Sequence, residues 1–229
     1  MSRTGRTPTL LQNDPANAPV DCQLCPRLAR FRDEVAAKEP DWFNGAVASF
    51  GPPDAALLIV GLAPGMKGAH RTGRPFTGDW SGDLLYATMS KFGFSKGKYR
   101  GYSDDGLVLK NAMVTNAVRC LPPQNKPTSA EINQCRPYLK AQIDALPNLQ
   151  VIILLGKIAH DSTMRTLGLK LKDHPFGHAS HYQTEQGGKP IHLISSYHCS
   201  RYNTNTKRLT PDMFEAVFAK ARTQIDLPD

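Results

Sequence analysis

The chain has 229 residues, 40% of them hydrophobic and 21% charged, and its 28 Lys+Arg against 20 Asp+Glu give a formal net charge of +8. This composition is ordinary for a soluble globular protein and excludes a disordered or fibrous chain. No apolar run approaches the length of a membrane span, and the N-terminus lacks the apolar core of a secretion signal. Together with an odd count of five cysteines, these features predict a cytoplasmic protein without a disulfide framework. The positive charge favours a polyanionic partner, nucleic acid first, and no membrane.

The first half of the chain predicts an arm followed by alternating helices and strands. Residues 1–20 are rich in Pro, Asn and Thr and poor in apolar residues, which predicts a disordered N-terminal arm. Residues 22–38 predict a helix, and the continuous apolar run Ala55–Val60 predicts a strand buried on both faces. Helical periodicity predicts a helix over Ser81–Phe92, capped by its first residue. Residues 93–106, rich in Gly, Lys and Tyr, predict a connecting excursion.

The second half continues the alternation. Ala112–Val118 predicts the second strand, and Thr128 opens a capping box for a helix that runs to about Leu146. Val151–Leu155 predicts the third strand, followed by a helix that begins near Lys157. Residues 170–189 predict a loop or a short hairpin.

The last elements complete the predicted fold. Ile191–Ser195 predicts the fourth strand, and Thr210 and Pro211 open a closing helix. Alternating helices and all-apolar strands predict a three-layer α/β/α domain over residues 21–229, with a four-stranded parallel sheet. In such a sheet ligands bind at the carboxyl ends of the strands. The polar, breaker-rich segments at those ends are Gly61–Asp79, Asn116–Cys120 and Ser195–Arg208.

Four of the five cysteines form two pairs, Cys22-x-x-Cys25 near the start and Cys120 with Cys135 in mid-chain. Four thiolates from distant segments can close a tetrahedral zinc site or bind an iron–sulfur cluster. Some of them can equally be ordinary buried cysteines, which are common in protein cores. The availability of a second pair favours a metal centre.

Four segments of the sequence resemble the motifs of a known family, and they occur in that family's order. They are Gly61-Leu-Ala-Pro-Gly65, Arg71-Thr-Gly-Arg-Pro-Phe-Thr-Gly-Asp79, Thr115-Asn-Ala-Val-Arg-Cys-Leu-Pro-Pro123, and the segment Ser196–Thr210 that begins Ser-Tyr-His-Cys-Ser-Arg. The family is the uracil-DNA glycosylase superfamily, and the resemblance is closest to its fifth, iron–sulfur-containing family (the B type), over roughly residues 20–225. Several motifs in order are far more specific than any single one.

The resemblance implies a function and a cofactor. It implies hydrolysis of the N-glycosidic bond of uracil in DNA with water as the nucleophile, the first step of base excision repair. Hypoxanthine and xanthine are further expected substrates, and the enzyme is expected to act as a monomer. The resemblance also implies a [4Fe–4S] cluster held by Cys22, Cys25, Cys120 and Cys135.

The motifs also separate this chain from neighbouring families. The fourth family carries an acidic residue just after the first motif glycine, where this chain has Leu62; here the acid follows Phe-Thr-Gly, at Asp79, as in the fifth family. The last motif usually reads His-Pro-Ser, whereas this chain has Cys199 in the middle position, and Gly65 stands where the fifth family often has alanine. Both departures bear on base preference and rate more than on the class of reaction.

The chemistry of the reaction assigns roles to the matched residues. Breaking the bond creates a cationic sugar and an anionic base, so the site needs a carboxylate, donors for the base and a way to hold an extruded nucleotide. The expected catalytic residues are Asp79, Asn116 and His198. The expected base-binding residues are Gly61, Leu62, Ala63, Phe76, Asn116 and His198. The expected DNA contacts are Arg71, Arg74, Ser200, Arg201, Asn203, Lys207 and Arg208.

Simpler interpretations stay open at this point. Asp79 can be a charge at a helix N-terminus, Phe76 can be a core residue, and one of the two motif arginines can pair with Asp79. His174, His178 and His181 are expected in a solvated loop rather than on a metal. A zinc-stabilised nucleic-acid-binding module and a hydrolase of free nucleosides are the alternative functions.

Overall fold

The structure, a computed structural model, describes residues 16–225. Its main sheet has five strands in the order β4-β1-β5-β7-β6. In chain order the strands are β1 Leu57–Gly61, β2 Ser95–Lys96, β3 Val108–Leu109, β4 Ala112–Asn116, β5 Val151–Leu155, β6 His181–Gln186 and β7 Lys189–Ser196. The four predicted strands, β1, β4, β5 and β7, pair in parallel. The predicted four-stranded parallel sheet is therefore present, with a fifth strand added at one edge.

The fifth strand, β6, pairs antiparallel with β7. The two form the short hairpin that the sequence left open as an alternative to a loop over residues 170–189. The strand is polar, and its side chains are partly or fully exposed along its length, as an edge strand with one solvated face allows. A second, two-stranded sheet pairs β2, within the predicted excursion of residues 93–106, with β3, which follows that excursion.

Within residues 16–225, six α-helices accompany the sheet, together with a π-helix over Met66–His70 and a 3-10 turn over Pro123–Asn125. The α-helices are α1 Pro26–Ala36, α2 Trp80–Lys91, α3 Ser129–Asp144, α4 Lys157–Thr166, α5 Arg201–Asn205 and α6 Pro211–Arg222. Residues of α2 and α6 join the core on one face of the sheet, and residues of α3 and α4 join the core on the other. The predicted three-layer α/β/α architecture is therefore confirmed.

The helix caps follow the sequence signals, with one correction. Thr128 and Glu131 form the predicted capping box of α3, and Thr210 caps α6. The cap of α2 is Asp79 and not Ser81, because the carboxylate accepts hydrogen bonds from the backbone N–H groups of Ser81 and Gly82. The helix therefore begins one residue earlier than predicted.

The structure describes only part of the predicted N-terminal arm. Residues 1–15 of that arm, and residues 226–229 of the predicted domain, lie outside the described residues. Ala16, Asn17 and Ala18 are buried, and the Asn17 side chain accepts a 2.9 Å hydrogen bond from the backbone N–H of Ser49. This part of the predicted arm is packed on the domain. Among the described helices, none is both long and apolar enough to cross a membrane.

Candidate active site

A cavity of about 310 Å³ opens at the carboxyl ends of β1 and β4. The three polar segments that the sequence places at the strand ends meet here. Its lining residues are Leu62, Ala63, Gly65, Ala69, Phe76, Asp79, Ser81, Asn116, Asn125, His198 and Ser200. Asn125 is a lining residue that the sequence analysis missed. It sits at φ +56° in a turn that follows two prolines, and an asparagine after Pro-Pro is a turn signal that would have placed it at a loop tip.

Asp79 is both a helix cap and a wall of the cavity. Its Oδ1 accepts hydrogen bonds of 3.1 Å from Ser81 N–H and 3.3 Å from Gly82 N–H. Burial raises the pKa of the Asp79 carboxyl, while these two hydrogen bonds act in the opposite direction. Both cap bonds engage Oδ1, so Oδ2 lies outside the cap and close to Gly68, where an added Cβ would approach it to 2.2 Å. The two interpretations of Asp79 are thus compatible: the cap fixes one oxygen and leaves the other at the cavity.

Phe76 is held in an unusual backbone conformation. Its φ is +50°, a region that bulky L-residues rarely adopt. The ring is 7% exposed and lies nearly parallel to the His198 ring, with 5.9 Å between centroids and 22° between planes. Gly61 makes room for it, since a Cβ there would approach the Phe76 ring to 2.5 Å. The ring belongs to the core and also presents a surface to the cavity.

Asn116 ends β4 inside the cavity. The residue is 2% exposed, and its Oδ1 has no hydrogen-bond partner among the described residues. A buried polar atom without a partner is costly unless a ligand or water satisfies it. Gly61 again permits the approach, because a Cβ there would lie 2.5 Å from this oxygen. This oxygen is therefore available to a hydrogen-bond donor of a ligand.

His198 enters the cavity from the loop after β7. Burial lowers its pKa to about 4, so the imidazole is neutral near pH 7 and acts as a hydrogen-bond donor rather than a cation. Asn203 Nδ2 donates a 2.8 Å hydrogen bond to the His198 carbonyl oxygen. Gly156, at φ +91°, lies against the His198 side chain. Asn203 thus supports the histidine loop, and its contact with DNA stays a prediction.

Of the two motif arginines, one is wrongly predicted as a DNA contact. Arg74 is 4% exposed, and its guanidinium forms two 2.8 Å hydrogen bonds with the buried Asp105 carboxylate. It is therefore unavailable to a phosphate, and it does not pair with Asp79. Arg71 is exposed, with its Nε donating to the Lys67 carbonyl oxygen at 2.9 Å. Asp105 lies 31 residues beyond Arg74, so no pattern of neighbouring residues predicts this ion pair.

The segment Ser200–Arg208 forms the rim beside His198. Ser200 caps the short helix α5, and Arg201 lies over the Trp80 ring, with 5.8 Å between its Cζ and the ring centroid. Lys207 and Arg208 are exposed cations, and Arg208 lies over Tyr197 at 4.6 Å. Arginine stacked on an exposed aromatic ring keeps its donors free for other groups. Their contact with DNA stays a prediction.

The four paired cysteines line a second cavity, under α1 and beside the end of β4. Cys22 and Cys25 are half-buried, while Cys120 and Cys135 are buried. The backbone N–H of Arg119 donates a 3.3 Å hydrogen bond to Cys135 Sγ. Burial, followed by the charges of the neighbouring thiols, raises the pKa of Cys25 to about 11 and of Cys120 to about 12. Within residues 16–225, no group of three or more His, Cys, Asp or Glu side chains forms a site for a metal ion.

The histidines predicted for a solvated loop have partners of their own. His174 Nδ1 lies 2.9 Å from the Lys170 carbonyl oxygen, and His178 Nδ1 accepts a 3.3 Å hydrogen bond from Tyr197 N–H. His181 lies in β6, with its Nε2 3.0 Å from His192 Nδ1. The three are spread over a loop and the edge strand, so the loop placement is wrong for His181.

Comparison with known proteins adds independent information. A family model described as the uracil DNA glycosylase superfamily matches residues 48–222. The chain is 44% identical over 207 residues to a type-5 uracil-DNA glycosylase of Thermus thermophilus, covering 88% of this chain and 92% of that protein. It is 39% identical over 210 residues to a type-5 uracil-DNA glycosylase of Mycobacterium tuberculosis, covering 88% and 77%. It is 30% identical over 179 residues to a type-4 uracil-DNA glycosylase of Pyrobaculum aerophilum, covering 78% and 77%.

Proposed function

This chain belongs to the uracil-DNA glycosylase superfamily, and from that premise we propose that it hydrolyses the N-glycosidic bond of uracil in DNA and so initiates base excision repair. The observation that supports this most directly is the convergence of Phe76, Asp79, Asn116 and His198 on one cavity. These side chains supply a stacking surface, a carboxylate, an amide and a neutral imidazole. That set matches what an extruded base and its departing charge require.

The Asp79 carboxylate stabilises the sugar as the bond breaks. As the bond breaks, positive charge develops on the deoxyribose, and a nearby anion stabilises it. Asp79 is fixed through Oδ1 by two backbone amides, which leaves Oδ2 to align the attacking water or to face the sugar. Burial, which raises its pKa, also keeps competing water away and strengthens its electrostatic effect.

The other side chains of the cavity bind the base. Phe76 stacks under it, a contact worth about 1–3 kcal/mol per base. The unpaired Oδ1 of Asn116 accepts a hydrogen bond from the edge of the base. His198 donates a hydrogen bond to a carbonyl oxygen as negative charge develops there. The loop Leu62–Ala63 lines the cavity and brings backbone amides within reach of a second carbonyl oxygen.

Exposed cations at the rim hold the DNA. We assign the phosphate contacts to exposed cations of the motifs that supply the cavity, namely Arg71, Arg201, Lys207 and Arg208. Such contacts orient a duplex without reading its sequence. Ser200, which lines the cavity, can donate its hydroxyl to the phosphate next to the extruded nucleotide. Arg74 is excluded from this set by its burial.

We also propose that Cys22, Cys25, Cys120 and Cys135 hold a [4Fe–4S] cluster. Two observations support the fit: the four thiols line one cavity, and a backbone amide points at the Cys135 sulfur, as hydrogen bonds do around cluster sulfurs. When bound, the cluster supplies a structural cross-link between the segment before α1, the loop after β4 and α3.

The cluster has its own test. Anaerobically purified protein should be brown and contain iron and acid-labile sulfide, and Cys25→Ser should lose the visible absorption and lower the melting temperature. Cys199→Ser is the matched control, since Cys199 lies outside the cysteine cavity and should leave the spectrum unchanged. Colourless protein that contains zinc would overturn this part of the proposal.

The function is tested by excision. Oligonucleotides that carry uracil, hypoxanthine, xanthine or a thymine mismatch are incubated with the enzyme, and abasic sites are cleaved and counted. We expect abasic sites from uracil and, as the finer proposal, from the two deaminated purines. Asp79→Asn should reduce the rate by orders of magnitude. Wild-type protein that binds uracil DNA and forms no abasic sites would favour a binding module, and activity on free deoxyuridine alone would favour a nucleoside hydrolase.

A further inference from the structure

The backbone at Phe76 needs support from outside its own loop. A phenylalanine at φ +50° is in a region that costs free energy for a bulky side chain and persists only where the surroundings determine it. The next glycine, Gly78, is also at positive φ, +92°. The proposed stacking of the base depends on this local shape, because the backbone sets the direction of the ring.

One hydroxyl bridges the two sides of this turn. Tyr99 Oη accepts a 3.0 Å hydrogen bond from Gly78 N–H and donates one of 3.2 Å to the Phe76 carbonyl oxygen. Tyr86, from α2, donates a 2.6 Å hydrogen bond to the Pro75 carbonyl oxygen. The two tyrosines therefore hold the carbonyl groups of Pro75 and Phe76. Tyr99 also connects Phe76 to Gly78, the residues on either side of Thr77.

Tyr99 lies in the excursion between α2 and β4. Further hydrogen bonds connect this excursion to the loop of Phe76. The buried Asp105 carboxylate accepts hydrogen bonds from the backbone N–H groups of Arg100, at 2.8 Å, and Leu107, at 3.0 Å. It also accepts the two hydrogen bonds of Arg74, whose Nε donates to Thr77 Oγ1 at 2.8 Å. A bidentate buried pair of this kind fixes geometry as well as charge. Asp105 therefore sets the shape of the excursion and joins it to the loop of Phe76.

The same loop packs tightly on the start of α2. A Cβ at Gly82 would approach the Phe76 carbonyl oxygen to 1.9 Å and Tyr99 Oη to 2.4 Å. Gly82 is also one of the two amide donors to Asp79. Tyr99 and Asp105 are not among the described residues that line the cavity. Tyr99 reaches the cavity through its hydrogen bond to the Phe76 carbonyl oxygen.

We propose that the excursion of residues 93–106, together with Leu107, is a clamp that holds Phe76 in its base-stacking conformation, with Tyr99 as the positioning residue and Asp105 as its anchor. This inference rests on the proposed function. Phosphate contacts at the rim bind the DNA, whereas the clamp acts after the nucleotide has left the stack. Loss of the clamp is therefore expected to lower kcat and to leave the KM for DNA unchanged.

The test uses Tyr99→Phe in the full, cluster-loaded enzyme, with Tyr102→Phe as the matched control. Tyr102 lies in the same excursion and is 54% exposed. Tyr99→Phe should lower the single-turnover excision of uracil at saturating DNA by about 5- to 150-fold, the range that follows from the stacking energy of one base. The control should stay within about twofold of wild type. A shift in KM at constant kcat, or equal rates in all three proteins, would overturn the clamp.

Two further measurements separate positioning from a general loss of structure. In a Phe76→Ala background, Tyr99→Phe should add little, because a residue that acts through Phe76 has nothing left to position; a full additional loss would overturn the proposal. Independently of any activity, amide hydrogen exchange at Gly78 should speed up in Tyr99→Phe and not in the control, and equal protection would also overturn it. A wild-type enzyme inactive on uracil would refute the proposed function alone, since the exchange measurement still tests the clamp.

Discussion

Gly68→Ala provides a sharp test of the carboxylate, because it displaces Asp79 without altering a polar group. A Cβ at Gly68 would lie 2.2 Å from Asp79 Oδ2 and 2.8 Å from its Cγ. Non-bonded atoms prefer separations of about 3.5 Å or more, so the carboxylate or the Gly68 backbone must shift by about 1 Å. The two cap bonds of Oδ1 resist a simple rotation of the side chain.

The magnitude follows from the geometry of the reaction. A misplacement of about 1 Å at a catalytic group can cost about 100-fold in rate. We therefore expect single-turnover excision of uracil by Gly68→Ala to fall about 100-fold. Weakening of the cap should lower the free energy of unfolding by about 1 kcal/mol. Rate is measured on an oligonucleotide with one uracil, and stability by urea unfolding.

Gly65→Ala is the matched comparison. The added Cβ there would lie 3.0 Å from the same Oδ2, a contact that a shift of a few tenths of an ångström relieves. The expected loss of rate is severalfold at most. Gly177→Ala, where the nearest atom would be 3.9 Å away, should behave as wild type. The reasoning is refuted if Gly68→Ala retains wild-type excision, or if both active-site variants lose the same factor.

Three other variants test different parts of the molecule. Arg74→Ala leaves the buried Asp105 carboxylate without its partner and should cost about 3–5 kcal/mol of unfolding free energy in urea; a loss below about 1 kcal/mol would contradict the role given to the pair. Burial, aided by the charge of Arg32, lowers the pKa of His70 to about 4 from the ordinary 6.5, so its contribution to stability is present above pH 6.5 and is lost as the pH falls towards 4. His70→Leu should flatten that decline in the unfolding free energy, and an unchanged slope between pH 6.5 and 4 would rule His70 out as its source. Arg208→Ala should reduce the slope of log affinity for DNA against log salt concentration by about 1; an unaltered slope would remove this residue from the interface.

The parts of the fold that the sequence predicts are those with a local or periodic signal. The continuous apolar runs of β1, β4 and β5 are fully buried, and a parallel sheet then brings the segments after them to one edge. The edge strand β6 has no apolar run, and its pairing depends on β7 rather than on its own sequence. The sequence alone therefore does not distinguish this strand from a loop.

The residues of the candidate site likewise divide into those that the sequence predicts and those whose role appears only in the structure. Phe76, Asp79, Asn116 and His198 follow from the order of the motifs along the chain. The burial of Arg74 does not, because it depends on Asp105 from an excursion whose length and shape have no periodicity. An arginine beside a predicted DNA site is indistinguishable in sequence from one that supports the site from within. The distinction appears only in the contacts.

Cys199 illustrates how one departure from the family pattern is accommodated. The residue is fully buried, and its Sγ lies 3.6 Å from the Ser81 carbonyl oxygen in the first turn of α2. Burial, reinforced by the charge of Asp79, raises the pKa of this thiol, so it stays neutral and is not a nucleophile in competition with water. It instead packs the loop of His198 against the helix that Asp79 caps. A proline there would stiffen the loop through its fixed φ, whereas the cysteine couples the loop to α2 through its contact with the Ser81 carbonyl oxygen.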